Sequence, residues 1–575
     1  YQTVLNVNWL KGNHNIRVGS DIYFTTLNHI QPEISGTSYG ARGGFEFNGG
    51  TTQLRGGPGG NHFNSWASFL LGLPAEMGRL KLSVAPYTTR SWQYSAYVRD
   101  QWQVTPRMTL SLGTRWEYFP IPTRADRGLE RYNLETNMME VGGLGSVPKD
   151  LGVKMSKTLF APRLGVAYRI GETAVVRGGF GITNDPYSLA RSMRTNHPIL
   201  LNLIEEADHS FGWVRPIEEG ISPVPEPDLS SGIIPVPGEV TVVTVPDQFD
   251  RGRVESWNVA FEKELKWGFV GEAAYVGTRQ VNQLGIIEQN WSPIDGGSAG
   301  RQLVEKFDRT AATLLIGPLG NSHYNALQTR LNRRFQDGIS FGVSYTLQRS
   351  IGIAGAPNSD NQPRVRIPEL YHLNRGISDF DRTHSLHITN LTELPFGRGR
   401  RWLNNGGVLS VIVGGWQVNN IISLYSGRPF TVTSSGTSLN SPGNTQMADQ
   451  IKDDVEILGG IGRGNSYFDP FAFAEVTEVR FGNAGFNTLR GPGAAQWDVG
   501  LFRQINLGGR ANVQVRVEAF NVTNTPQFNN PGANRSSMDL NPDGSIADLN
   551  GYTEVRSTRG VKSERQIRLG VRIGF

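Results

Sequence analysis

Several short stretches of this 575-residue chain carry residue types that could do chemistry. "GISFG" at 338–342 matches G-x-S-x-G, in which Ser340 would be a hydrolase nucleophile if it sat on a sharp strand-to-helix turn. "DRTHSLHITN" places His384 and His387 three residues apart, a spacing that brings two rings to one metal only on a helix. "DLNPDGSIADLN" (539–550) offers Asp539, Asn541, Asp543, Gly544 and Ser545 in the order of the first half of a calcium loop, but its twelfth position is Asn550, not a bidentate glutamate. "NVT" (521–523) and "NRS" (534–536) match a glycosylation sequon, a match too short to carry weight. Arg115, Arg163, Arg169 and Arg177 lie in alternating segments, where a shared parity would turn them to one side as a path for an anionic solute or as docking partners for an internal plug.

The elements around these residues remove most of the chemistry. Alternation runs through Ser340 from Ile339 to Leu347, so it reads as a strand residue without an elbow. On a strand His384 and His387 face opposite ways. The 539–550 stretch reads as a polar surface loop. No catalytic, cofactor-binding or metal residue is therefore expected, and no cofactor.

Glycine is 70 of 575 residues and aromatics are 10%, while charged residues are only 19% and hydrophobic ones 38%, a profile of turn and strand formers. No run approaches the roughly 18 apolar residues of a membrane-spanning helix, and "LSVIVGG" (409–415) is broken by glycine. Cysteine is absent, which removes disulfides and thiolate metal sites. The 56 basic and 51 acidic residues are scattered, with no basic stripe interleaved with aromatics, so nucleic-acid binding is not expected.

Period-two segments recur, with one parity apolar and the other Gly, Ser, Thr, Asn, Gln or Arg: "MTLSLGTRWEY" (108–118), "RLGVAYRI" (163–170), "WNVAFEKEL" (257–265), "ISFGVSYTLQ" (339–348) and "NVQVRVEAF" (512–520). In the last, Val513, Val515 and Val517 are assigned to lipid and Gln514, Arg516 and Glu518 to a lumen. Tight turns at 104–107, 170–173, 264–268, 335–338 and 506–510 alternate with long Gly/Pro-rich links at about 120–158, 184–253, 279–320, 349–380, 428–494 and 523–562. That sorting predicts an all-β, large antiparallel transmembrane β-barrel, with short turns at a periplasmic rim and long loops at an extracellular one. Trp92, Tyr94, Trp102, Trp116, Tyr118, Trp267, Trp416 and Trp497 would form interfacial girdles. Residues 61–77 are the one stretch expected to be partly helical. About 17–19 strands are countable. The chain begins on Tyr1 inside a strand-like segment with no leader, which predicts that an N-terminal part of the protein lies upstream.

"SWQYSAYVRDQWQVTPRMTLSLGTRWEYF", "FAPRLGVAYRIGETAVVRGGFGI", "SHYNALQTRLNRRFQDGISFGVSYTLQRS", "DRTHSLHITNLTELPFGRGRRW" and "VEAFNVTNTPQFNNPG" together resemble the barrel of an Oar-like TonB-dependent receptor. The resemblance spans residues 1–575 and implies an outer-membrane barrel of 22 strands around a plug, often preceded by a carboxypeptidase-regulatory-like domain. It implies outer-membrane lipid, a TonB-type energising complex and an extracellular substrate as partners. It also gives the last strand a role: Ile567, Leu569, Val571, Ile573 and Phe575 would be the signal read by the barrel-assembly machinery, on the strand that pairs with the barrel's first. The residues themselves leave open a passive porin, an adhesive or structural barrel, and a soluble all-β enzyme.

Overall fold

The computed structural model describes residues 1–30, 39–53, 62–83, 87–194, 196–223, 226–353, 362–508, 511–560 and 563–575. One sheet of seventeen strands dominates it, and all but two of these are long wall strands in chain order. They are Gln2–Lys11 (β1), His14–His29 (β2), Tyr87–Thr105 (β3), Met108–Tyr118 (β4) and Leu159–Ile170 (β5). Next come Ala174–Asn184 (β6), Arg253–Glu264 (β7), Phe269–Glu288 (β8), Thr313–Gln336 (β9) and Ile339–Ile353 (β10). His384–Glu393 (β11), Trp416–Tyr425 (β12), Ala494–Gly508 (β13), Ala511–Phe520 (β14) and Gln566–Gly574 (β15) complete the wall. Each pairs antiparallel with the next, so the backbone polar groups of the inner strands are satisfied between neighbours, as hydrocarbon requires.

Register carries the alternation of each strand into a continuous face. One row reads Leu112, Leu164, Phe180, Trp257 across β4 to β7, and the adjacent row on the opposite face reads Gly113, Arg163, Gly181, Ser256. The apolar face also holds Val513, Val515 and Val517, beside Ile573, Val571 and Leu569 of β15. The expected split of β14 between lipid and lumen parities is therefore continuous with its neighbours.

Aromatics mark the two edges of this band. Near the long-link rim Phe24, Trp92, Tyr94, Tyr118 and Trp116 form a chain of ring contacts with centroids 4.5, 5.8, 6.4 and 6.4 Å apart. Near the other rim Trp102 stacks on His14 at 5.2 Å, and Trp267 sits exposed in its turn. Trp92 and Trp102 lie on one strand and one face; their ten-residue separation is about 33 Å of strand, or about 25 Å of height at a tilt of about 40°. That matches the apolar height of an outer membrane.

Tight turns gather at one rim. Asp337 at φ 53° and Gly338 at φ 80° make the two-residue mirror-image turn that suits the twist of β9 and β10. Residues 509–510 of the turn expected at 506–510 lie outside the described residues. One link departs from the expected sorting. The connection 394–415, on the tight-turn rim, contains a short helix, Val408–Val413, which takes up the apolar part of "LSVIVGG" and ends at its glycines. The connection 30–86 is a further long link; within it His62–Leu70 is helical, as expected for that stretch.

The hydrophobic cores lie outside the wall. Three clusters of buried side chains are built from the long links, around Phe468, Phe473 and Tyr552, around Met193, Phe249 and Ile316, and around Met139, Leu201 and Val240. The links are thus a folded cap with small sheets of its own, one formed by Leu200–Glu206, Glu76–Leu82 and Gly44–Glu46. The upper parts of β8 and β9 run into it, past register shifts near Gln280 and Gln283 that release them from the wall's regular pairing. A barrel wall needs no core, because its apolar face is solvated by lipid; a cap in water does.

β1 pairs only with β2 and β15 only with β14. Among the described residues the sheet is therefore open at these two edges, and the last strand does not meet the first strand of this chain.

Candidate functional site

Most residues singled out by spacing are placed by the wall in structural roles. Ser340 sits opposite Leu391 in the regular β10–β11 ladder, with no turn that could present a nucleophile. His384 and His387 face opposite sides: His384 meets Tyr345 Oη at 2.8 Å, and His387 meets Ser423 Oγ at 3.1 Å. The 539–550 loop is a small hairpin whose carboxylates serve its own turns. Asn550 Nδ2 donates to Asp539 at 2.7 Å, and the Ser545 hydroxyl and backbone N–H donate to Asp543 at 2.6 and 2.9 Å, holding that carboxyl below its usual range. Among the described residues no group of three or more His, Cys, Asp or Glu is placed to hold a metal.

Ile567, Leu569, Val571 and Ile573 share one face of β15, and Phe575 projects beyond the last strand pair, 99% exposed. The same face of β14 flanks them on one side only.

The inward arginines divide into two kinds. Arg177 is 3.0 Å from Glu262 and 3.6 Å from Glu272, and Arg115 is 2.7 Å from Asp21 and 3.0 Å from Glu117. Arg163 and Arg169 are exposed on the lumen face without a partner among the described residues. The wall supplies carboxylates for some of its arginines and not for others.

Above the wall, the cap is held by buried charge that spacing along the chain did not reveal. Arg124 and Glu130 are almost wholly buried and bonded to each other at 3.2–3.3 Å through Nε. The same guanidinium donates to the carbonyls of Thr88, Arg194 and Met193, so it ties β3 to two links. Arg309, fully buried, donates to the Pro237 and Val240 carbonyls and to Thr313. Asn440 joins the two halves of the cap, donating to Asp295 and accepting from the Ser210 backbone at 2.8 Å.

One cap sheet is pH-sensitive from both directions. Glu46, Glu76 and Glu206 stand opposite one another across its three strands. Burial pushes Glu76 up to about 7, against the opposing pull of the Tyr39 hydroxyl bonded to it at 2.9 Å, while the neighbouring glutamates add to the rise. At the end of the same sheet His197 is 1% exposed, and burial, with Arg309 nearby, lowers it to about 4.

The signs oppose. A carboxyl raised in the fold stabilises below its unfolded value and loses that contribution as pH rises through about 7; an imidazole lowered in the fold stabilises above about 6.5 and loses it as pH falls toward 4. Amide exchange in Glu76–Leu82 and Leu200–Glu206 is accordingly expected to be slowest between about pH 4.5 and 6.5, where the two slopes cancel, after correction for intrinsic exchange. Glu76→Gln should flatten the alkaline side and His197→Gln the acid side; unchanged profiles in both variants would refute the assignment.

Among solved structures, the chain resembles the outer membrane transporter YddB from Escherichia coli, with a TM-score of 0.48 at 10% identity, covering 100% of this chain and 53% of that one. It resembles a mutant ferric enterobactin receptor PfeA from Pseudomonas aeruginosa, with 0.47 at 9% and the same coverage, and the FrpB iron transporter from Neisseria meningitidis, with 0.43 at 11%, covering 100% and 55%. The chain thus spans about half the length of these proteins. A search of the curated proteins finds no match. The model of one family, the outer membrane beta barrel domain, matches residues 1–567. With that match over nearly its whole length, and with a lipid-facing band of outer-membrane height, the chain belongs to the outer membrane beta barrel domain family and resides in the outer membrane.

Proposed function

We propose that this chain is the barrel of a TonB-dependent transporter of the Oar-like kind, which takes up a scarce extracellular substrate at the expense of inner-membrane energy. The observation that carries this reading is the two-tier build: a polar lumen beneath a folded, charge-pinned cap on the long-link rim. A passive porin needs only a constriction, whereas a receptor needs an ordered outer surface that binds before it admits. The two unpaired edges, β1 and β15, support a longer protein in which further strands complete the cylinder, a plug fills it and a TonB box reaches the energising partner. In that protein Phe575 and the alternating residues before it would serve the assembly machinery. Transport, not catalysis, is the role this build fits.

Planar-bilayer conductance and uptake test this together. The intact protein should give no steady channel current. Cells carrying it should deplete at least one solute from a defined medium that deletion cells leave behind, and only while the proton gradient stands. A stable open-channel current, or depletion that survives a protonophore, would establish a passive pore instead.

A further inference from the structure

A row of arginines crosses the lumen face of the wall at a single height. Arg17 of β2 lies directly opposite Arg99 of β3, Arg99 opposite Gly113 of β4, and Gly113 opposite Arg163 of β5. With strands about 4.8 Å apart, the row sets guanidinium-bearing positions about 5 and about 10 Å from one another. Like charges placed directly across a strand pair repel, so this arrangement costs stability unless something negative sits against it. Among the described residues no carboxylate pairs with Arg17, Arg99 or Arg163, and all three are exposed to the lumen.

The neighbouring arginine shows what a purely structural role looks like. Arg115, two residues along β4 from Gly113, is bonded to Asp21, Glu117 and Ser95 and lies 6.0 Å from the Tyr97 ring. Those two carboxylates are committed to Arg115 and leave the row uncompensated. Gly113, in the middle of the row, presents no side chain, and a Cβ there would press on the Val98 carbonyl at 2.9 Å. The result is an open floor between Arg99 and Arg163, within a cavity of about 430 Å³ that these residues line. A cavity of that size accepts a small solute.

We propose that the row is a binding site for a dissolved solute carrying two or more phosphate or carboxylate groups, and that it defines the chemical class of what passes through the lumen. This rests on the transport reading above. Guanidinium forks match both anions bidentately, and the spacing favours several anionic groups on one molecule over a single one.

Inorganic tripolyphosphate, with orthophosphate as comparison, is the probe, titrated calorimetrically into the intact protein in detergent. Tripolyphosphate should bind more tightly than orthophosphate, and weaken as salt is raised. Arg17→Gln, Arg99→Gln and Arg163→Gln should each weaken it about tenfold, and together about a hundredfold or more, while Arg169→Gln off the row leaves it within about twofold. Heat-modifiable gel mobility checks that each variant is folded, and any one folded single variant suffices. Equal affinity in the folded variants, or no tripolyphosphate binding to the intact protein, would overturn the proposal. Phenylglyoxal labelling separates two sources of the anion. Row arginines that react, and are protected by tripolyphosphate, support a dissolved solute; arginines already shielded without it would mean that an acidic segment of the protein's own chain holds the row, and the solute site would fall. Uptake that ignores the proton gradient would remove the transport reading and leave the titration result standing.

Discussion

Replacing Glu130 by Ala is expected to destabilise the cap by about 3–5 kcal/mol, the cost of leaving a buried guanidinium without its carboxylate. Arg124 cannot turn to water: it is 3% exposed, and its remaining donors are fixed on the carbonyls of Thr88, Arg194 and Met193. Arg127, 3.3 Å from the same carboxylate, loses that contact and, among the described residues, keeps only Asp126 at 3.2 Å. Denaturant melting followed by amide exchange in 120–158 and 184–206 reads the loss. The double variant Arg124→Met with Glu130→Leu should recover only part of it, because it removes both buried charges but leaves the carbonyls of Thr88, Arg194 and Met193 without the guanidinium donor. If Glu130→Ala melts like the parent, the pair is not what joins β3 to the two links.

The second large effect separates the two faces of one strand. Val343 of β10 lies between Leu331 and Ile388 on the apolar face, and Thr346 lies between Gln328 and Ser385 on the lumen face. Val343→Arg should cost about 2–4 kcal/mol in refolding titrations in lipid vesicles, since the charge must be held in hydrocarbon or dragged to its edge. Thr346→Arg should cost far less, because water and polar neighbours are at hand. Val515 of β14 would be a less clean site: Arg503 stands directly across from it, and an added arginine would meet repulsion as well as lipid. Equal costs at 343 and 346 would mean that the faces are misassigned.

The faces themselves were legible in the sequence. Alternation is a property of the chain alone, because successive side chains of a strand must point opposite ways. It placed Ser340 in a ladder and separated His384 from His387 without any tertiary knowledge, and turn chemistry such as Asp337–Gly338 sorted most connections between rims. The last strand's rhythm through Ile567, Leu569, Val571 and Ile573 likewise needs nothing beyond its own period.

The cap was not legible in the same way. Its links read as polar and Gly/Pro-rich because their apolar residues are scattered without period, and only folding brings Phe468 within 5.5 Å of Tyr552 or Arg124 onto carbonyls of two other segments. The short helix Val408–Val413 was not legible for a related reason: it is too short and too flanked by glycine for a helical period to stand out.

The arginine row marks the boundary between the two kinds of knowledge. Each strand's period fixes that Arg17, Arg99 and Arg163 face inward, but their heights depend on register, and register is set between strands by turns and pairing. A two-residue slip of β2 against β3 would keep every side chain on its own face and scatter the row. The sequence therefore determined which residues line the lumen and which meet lipid, because that choice is local to each strand. Only the tertiary structure decided which charges stand side by side, because a cross-strand neighbour is chosen by the whole sheet.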